Sequence, residues 1–427
     1  MNAPVPVLPP CQLPLPPARE AFVGTPAETR KAMRGGTHRE RTLFETVALA
    51  ERSRSVAGIT RVAEITGLDR LKIPAYNTIR PAAADETITV TGGKGVTPQA
   101  ARASGLLEAI ERYCAERNGR HGPRGTVEQA RAWGPIVHPR ELILARKHRF
   151  TSDASLEWWP ARELGEGGDV VWVPAVAAIM PHTEEPYLIT STTNGLASGN
   201  SRTEATLHAV LELVERDLMA FAQGDPRRGA VLDLDAIEAQ PLRGLIDAYA
   251  EAQIDIRVRV FTNAIGIPVF HAIIDDPLRA DPMLINGGSG CHLDPAVGLC
   301  RALTEAALSR ATVLSGARED LDVHLGSREG SYEDARTRAA AWLGDEGRRT
   351  RLDAFEDQSA DSTAQDLRTV QERLRAADLE RVLAVDLTLP DLPFSVVRAV
   401  VPGLELLRND LRIGRRLLRY AKGQTDA

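Results

Sequence analysis

A mixed fold of helices and sheets, α+β or mixed α/β, follows from three observations. Short apolar-alternating stretches come in pairs that read as hairpins. Glycine-rich turns run three times into long helices. The two kinds of unit are interleaved along the chain rather than segregated. With 427 residues and 43% hydrophobic content, the chain can build a large core in one broad domain or two intimate ones. The strand–turn–helix units recur about a hundred residues apart, which suggests internal pseudo-symmetry rather than a solenoid.

Taken in order, residues 1–27 read as a flexible arm, because the dense prolines of VPVLPPCQLPLPPARE remove backbone donors and favour extended geometry. Residues 28–54 turn charged and then helical, with Leu43, Val47 and Ala50 on one stripe. Arg34, His38, Arg39 and Arg41 form a basic cluster that suits either a solvated face or a phosphate contact. ITRVAEIT and the stretch carrying Ile73, Tyr76 and Ile79 read as strands, and TITVTGGKG as a third. Thr97 and Pro98 then start a helix as N-cap and first helical residue. Residues 120–165 look like an insertion of helix, loops and tryptophans; DVVWVPAVAAIM and YLIT read as strands. A second glycine turn and helix spans Thr193 to Asp217. A hairpin joined around Asn263–Gly266 comes next, and a third glycine turn and helix runs from Asn286 to Gly316. Residues 328–380 are charged and helical. LERVLAVDLTL and FSVVRAVVPGLE are late strands, and 411–427 form a basic surface tail.

Composition and motifs exclude several classes. A net charge of −6 and a pI near 5.9 argue against a nucleic-acid binder relying on bulk positive charge. No apolar run reaches the roughly 18–20 residues of a membrane span, and no signal-peptide layout opens the chain. Cys11, Cys114, Cys291 and Cys300 lack zinc-like spacing and read as free thiols of a reducing cytoplasm. Gly92-Gly93-Lys94-Gly95 does not fit a Walker frame, and H-E-x-x-H and G-x-S-x-G are missing. Ser198 reads as a turn residue; His208 and His271 read as packed or hydrogen-bonded.

The first two helices each carry E-x-x-E-R: Glu108, Glu111 and Arg112, then Glu212, Glu215 and Arg216, the second helix also holding Glu204. Residues three apart share a helix face, so each pair can address one ligand. A single glutamate is most simply a solvated surface group. The duplicated pattern, each copy after a glycine turn, points instead to Mg²⁺ beside phosphate, since hard oxygens suit that ion and helix N-termini donate to anions. Arg112, Arg216 and Arg310 would then offset phosphate charge.

With these residues the chain resembles the YcaO family. Ser104, Glu108, Glu111 and Arg112 fit its S-x-x-x-E-x-x-E-R element, preceded by Gly93-Lys94-Gly95. Asn194-Gly195 through Gly199-Asn200, with Glu204, Glu212, Glu215 and Arg216, fit the second element, and Glu305 with Arg310 the third; the likeness runs from about Gly36 to Glu405. The resemblance implies a catalytic domain over 28–410 with a non-Walker ATP site. Glu108, Glu111, Glu204, Glu212 and Glu215 would hold magnesium. Lys94, Ser104, Arg112, Asn200, Arg216, Glu305 and Arg310 would contact the nucleotide, and Arg39 and Thr46 would add an N-terminal phosphate contact. It further implies ATP-dependent activation of a peptide backbone amide, ending in a thioamide, an azoline or an amidine. GTHR, ITRVAEITGLDRLKIP and VVPGLE look like members working beside a TfuA-type partner in thioamide formation. The ending KGQTDA differs from the proline-rich terminus of many azoline-forming members, and the short N-terminal stretch leaves no room for a fused substrate-binding domain. A separate recognition or sulfur-delivery partner is therefore expected, with a homodimer left open and neither nucleic acid nor membrane involved. A nucleotide-binding accessory protein in ribosomal-protein sulfur modification is the alternative from another class.

Overall fold

The computed structural model describes residues 13–165, 168–321, 330–406 and 408–423. Two short elements open it, α1 (Arg19–Phe22) and α2 (Leu43–Arg52), the latter started by a Thr42–Glu45 capping box. β1 (Arg61–Glu64), β2 (Ala75–Ile79) and β3 (Val90–Lys94) then form an antiparallel three-stranded sheet. α3 (Pro98–Ala115) packs on β2 and β3, with Thr97 accepting from the Ala100 N–H as its N-cap.

A six-stranded sheet collects β4 (Arg124–Gly125), β5 (Leu156–Glu163), β6 (Val170–Pro174), β7 (Leu196–Gly199), β13 (Leu383–Asp386) and β14 (Ser395–Val400). Its spatial order is β4-β5-β13-β14-β7, with β6 also on β5. α4 (Val127–Trp133) lies beside β4, and α5 (Arg202–Ala222) follows β7 and packs on β7 and β14. A five-stranded sheet runs β11-β10-β9-β8-β12. Its members are β8 (Ala230–Leu232), β9 (Asp255–Phe261), β10 (Val269–Asp275), β11 (Asn286–Cys291) and β12 (Arg349–Thr350). α6 (Leu242–Glu251) packs on β9, and α7 (Pro295–Ser315) on β10 and β11, reaching β3 as well. α8 (Tyr332–Leu343), α9 (Thr363–Ala376) and α10 (Arg415–Ala421) complete the described chain.

Several sequence expectations need correction. The glycine stretches are largely strand: Gly92 and Gly93 lie in β3, as the strand reading of TITVTGGKG expected, Gly199 ends β7 after a true turn at Asn194–Gly195, and Gly287, Gly288 and Gly290 lie in β11. Each strand presses directly on the helix that follows. A methyl group at Gly93 would overlap the Ala101 carbonyl and the Gly105 backbone. One at Gly199 would meet the Ala205 amide, and one at Gly288 the Ala306 amide. Close approach, not a positive φ, is what demands glycine at these places.

Residues 120–165, read as an insertion, supply β5. Trp158 and Trp159 are buried, and the strand joins β4, β6 and β13. Residues 156–161 are all buried, so polar–apolar alternation is absent and the strand was hidden. YLIT is not a strand; Leu188 accepts a backbone bond from Ala145 in an irregular segment.

The arm expected to be flexible over 1–27 is docked where it is described. Leu13 and Phe22 are buried, and Arg162 donates to the Pro16 and Pro17 carbonyls. Residues 1–12 lie outside the described residues, as do 424–427 of the tail. That tail is not wholly surface: Arg416 of α10 pairs with buried Asp217, and Tyr420 meets Phe221 edge-on. No described helix is long and apolar enough to cross a membrane.

Candidate active site

α3, α5 and α7 each follow a glycine strand and converge on a cleft of about 480 Å³, closed by the segment around Arg39 and Thr46. The two E-x-x-E-R faces meet there. Glu108, Glu111 and Arg112 come from α3, and Glu212, Glu215 and Arg216 from α5; Lys94, Ser104 and Glu305 join them. Three expected site residues are not in the cleft lining. Asn200 and Glu204 lie just behind Arg39 and Thr46. Arg310 is elsewhere.

Glu111 is fixed to the neighbouring sheet, accepting from the Ser198 N–H at 2.8 Å and the Ser198 hydroxyl at 3.1 Å. Burial, then Glu108 and Glu212 nearby, push its carboxyl up to about 8. Burial likewise pushes Glu212 up to about 7 against the pull of Arg216, with Glu215 adding to the rise. Glu215 is raised by burial and by Glu305 beyond the relief Arg216 gives. Arg216 lies 3.8 Å from both Glu212 and Glu215; burial works against its charge, but these two acids outweigh it. Burial would raise Glu305 too, yet its ion pair with Lys94 and the nearby Arg216 hold it below its ordinary value.

These acids crowd without converging. Among the described residues, no three of them bring oxygens within 4.8 Å of one another. Mutual repulsion and room between the carboxylates fit Mg²⁺, which takes one or two carboxylates per ion plus water and phosphate oxygens rather than an all-protein cage. Glu204 is already satisfied by the chain. It accepts from the Asn200 side chain at 3.0 Å and from the Glu40 N–H at 2.8 Å, and Arg39 lies 3.7 Å away. Asn200 in turn accepts from the Thr46 hydroxyl at 3.3 Å. The pair therefore aims Arg39 and Thr46 at the cleft.

Arg310 is wholly buried between Asp69, at 2.7 Å, and Asp276, at 2.8 Å. It comes five positions after Glu305, about 140° around a helix, so the two cannot share a face. Of the early basic cluster only Arg39 reaches the cleft. His38 is buried 2.9 Å from Lys31, Arg34 pairs with Asp361, and Arg41 donates to the Pro393 carbonyl.

Sequence reasoning missed Arg301, which lines the cleft one turn before Glu305, and His208, whose Nε2 takes the Arg301 guanidinium at 2.9 Å. Burial, with Arg301 beside it, holds the His208 imidazole neutral and therefore able to accept. The available signal was spacing: His208 falls four residues after Glu204 and four before Glu212, on one stripe of α5. Arg398 of β14, buried near Glu212 and Glu111, was missed as well; burial lowers it to about 10 despite those acids.

The arrangement offers separated anionic groups for cations and converging cationic groups for polyphosphate. Comparison with known proteins agrees. Residues 92–405 match the family model described as YcaO cyclodehydratase, ATP- and Mg²⁺-binding. An uncharacterised protein of Methanothermobacter thermautotrophicus is 38% identical over 369 residues, covering 85% of this chain and 94% of the relative. An uncharacterised protein in the tfuA 3' region of Rhizobium leguminosarum bv. trifolii is 32% identical, covering 82% and 84%. The structure of YcaO from Methanopyrus kandleri bound with AMPPCP and Mg²⁺ superposes with a TM-score of 0.71 at 23% identity, over 88% of this chain and 95% of that one. The paired glutamate helices, the cleft between them and the match over residues 92–405 place this chain in the YcaO family, whose domain binds ATP and Mg²⁺.

Proposed function

We propose that the chain activates a peptide backbone amide by O-phosphorylation at the expense of ATP, and that the activated amide becomes a thioamide with the help of a TfuA-type partner. The observation that carries the first half is the crowd of glutamates on α3 and α5 around one cleft, faced by Lys94, Arg216 and Arg301. In this reading Glu108, Glu111, Glu212 and Glu215 hold Mg²⁺, which supplies charge neutralisation when bound. Lys94, Arg216 and Arg301 face the phosphates, with Ser104 and Arg112 beside them. Glu204 and Asn200 orient Arg39 and Thr46 toward the same anion. Catalysis is then positioning and electrostatic stabilisation, as phosphoryl transfer requires. Support for the second half is the relative named for its place beside tfuA.

Two measurements test the reading. Glu108→Gln and Glu212→Gln should each abolish ATP turnover while circular dichroism stays native; unchanged turnover in both would sink the assigned cleft. Mass spectrometry of a peptide co-expressed with the chain and a TfuA-type protein should show oxygen replaced by sulfur. Loss of water would instead assign an azoline product.

A further inference from the structure

A second cavity, of about 680 Å³, adjoins the nucleotide cleft, and Arg216 and Glu305 line both. α7 covers the face of β11 that carries Gly288 and Gly290. The opposite face, with Gly287 and Ser289 beside Ile273 and His271 of β10, floors the second cavity. One wall is the last turn of α5 with Met219, and Gln223 capping its end; the other is α8, with Ala339 and Trp342.

His271 is seated rather than merely packed. Its Nδ1 meets the Ser289 hydroxyl at 2.9 Å, and its ring lies against Trp342 with centroids 4.5 Å apart. A Cβ on Gly287 would come within 2.9 Å of the ring, so glycine leaves the imidazole its place. The cavity is within the range that encloses sizeable ligands. It mixes apolar surface for side chains with polar groups able to pair with amides.

We propose that this cavity is the acceptor chamber: an extended peptide lies across the β10–β11 floor, hydrogen-bonded by the His271 imidazole, with its reacting amide presented between Arg216 and Glu305. The assignment rests on the amide-activating reading. In that step the amide oxygen–phosphorus bond forms as the bond from the γ-phosphorus to the bridging oxygen breaks, and ADP leaves with the electron pair. Burial pushes the His271 imidazole down to about 4, so it is neutral and can donate at one nitrogen and accept at the other.

The test uses the full chain with Mg-AMPPCP and a pool of acetylated, amidated random hexapeptides, with retention after equilibrium dialysis read by mass spectrometry. The unaltered chain should retain a subset of the pool. Ala339→Trp and Gln223→Trp place indoles in the chamber from opposite walls, at half-exposed and exposed positions. Each should cut retention about ten-fold while AMPPCP affinity stays within about two-fold. Equal retention by both variants overturns the chamber, and so does no retention by an unaltered chain that binds AMPPCP normally. Failure of the unaltered chain to bind Mg-AMPPCP would count against the nucleotide site instead.

Discussion

Arg310 shows how much a residue's role depends on the side of the helix it occupies. Its guanidinium satisfies Asp69 and Asp276, both buried, and Asp276 is shared with Arg70 at 2.6 Å. Removing one member of such a cluster leaves uncompensated buried charge and costs about 3–5 kcal/mol. Arg310→Ala should therefore lower the urea midpoint sharply, while AMPPCP affinity of the folded protein stays near that of the unaltered chain. The cleft glutamates make the opposite kind of prediction. Glu111 and Glu212 rise from 4.5 to about 8 and about 7, so the folded chain binds more protons than the unfolded one between those limits. Stability of the nucleotide-free protein should fall as pH rises through that window. Glu111→Gln should flatten the fall in thermal melts recorded from pH 5 to 8. Glu108, Glu111, Glu212 and Glu215 were legible in the sequence because their pattern is duplicated. His208 was legible only as a packed or hydrogen-bonded group, and its partner Arg301 was not, because their pairing joins two helices that sequence spacing cannot relate.

At the scale of elements, strand–helix contact explains both success and error. Helices α3, α5 and α7 were legible as helices after glycine stretches, with the Thr97 cap of α3 read directly; the structure adds caps at Ser201 and Asp294. Two of the preceding strands, β7 and β11, were misread as turns because glycine is ordinarily depleted in strands, while β3 was read as a strand. The compensation is tertiary: removing each Cβ lets helix backbone approach strand backbone, which also brings the helical carboxylates close to one another. Gly93→Ala should cost about 1–3 kcal/mol through overpacking. Gly67→Ala, with nothing within 4 Å of an added Cβ, should stay within about 0.5 kcal/mol. Chemical denaturation of the two variants side by side gives the comparison. β5 escaped detection for a related reason, since burial on both faces erased its alternation.

Over the whole molecule, the ends of the chain secure elements that carry the site. Lys31 is buried 2.6 Å from Asp366 of α9 and 2.9 Å from His38, which leads into Arg39. At the other end, Glu405 accepts from the Arg416 and Leu417 amides at the start of α10, and Arg416 reaches Asp217, next to Arg216. Truncation after residue 410 would leave Asp217 buried without its cation, at about 3 kcal/mol or more. The shortened chain should melt earlier and bind AMPPCP more weakly. None of these long-range ties carries a local motif, so the sequence could not disclose them.

The six-stranded sheet sets an order on biosynthesis. β13 and β14 stand between β5 and β7, so β7 has no partner in this sheet, and β5 lacks its β13 contact, until the strands ending at Val400 are synthesised. β7 holds Ser198, which anchors Glu111, and leads directly into α5. Closure over such long sequence separations is slow, and the half-made chain exposes unpaired strand edges in the meantime. A ribosome-bound nascent chain ending near residue 380 should lack nucleotide binding, and affinity should appear only once both late strands have left the exit tunnel. The nucleotide cleft is thus completed only after β13 and β14 have been made, and a product terminated before them would lack a finished site.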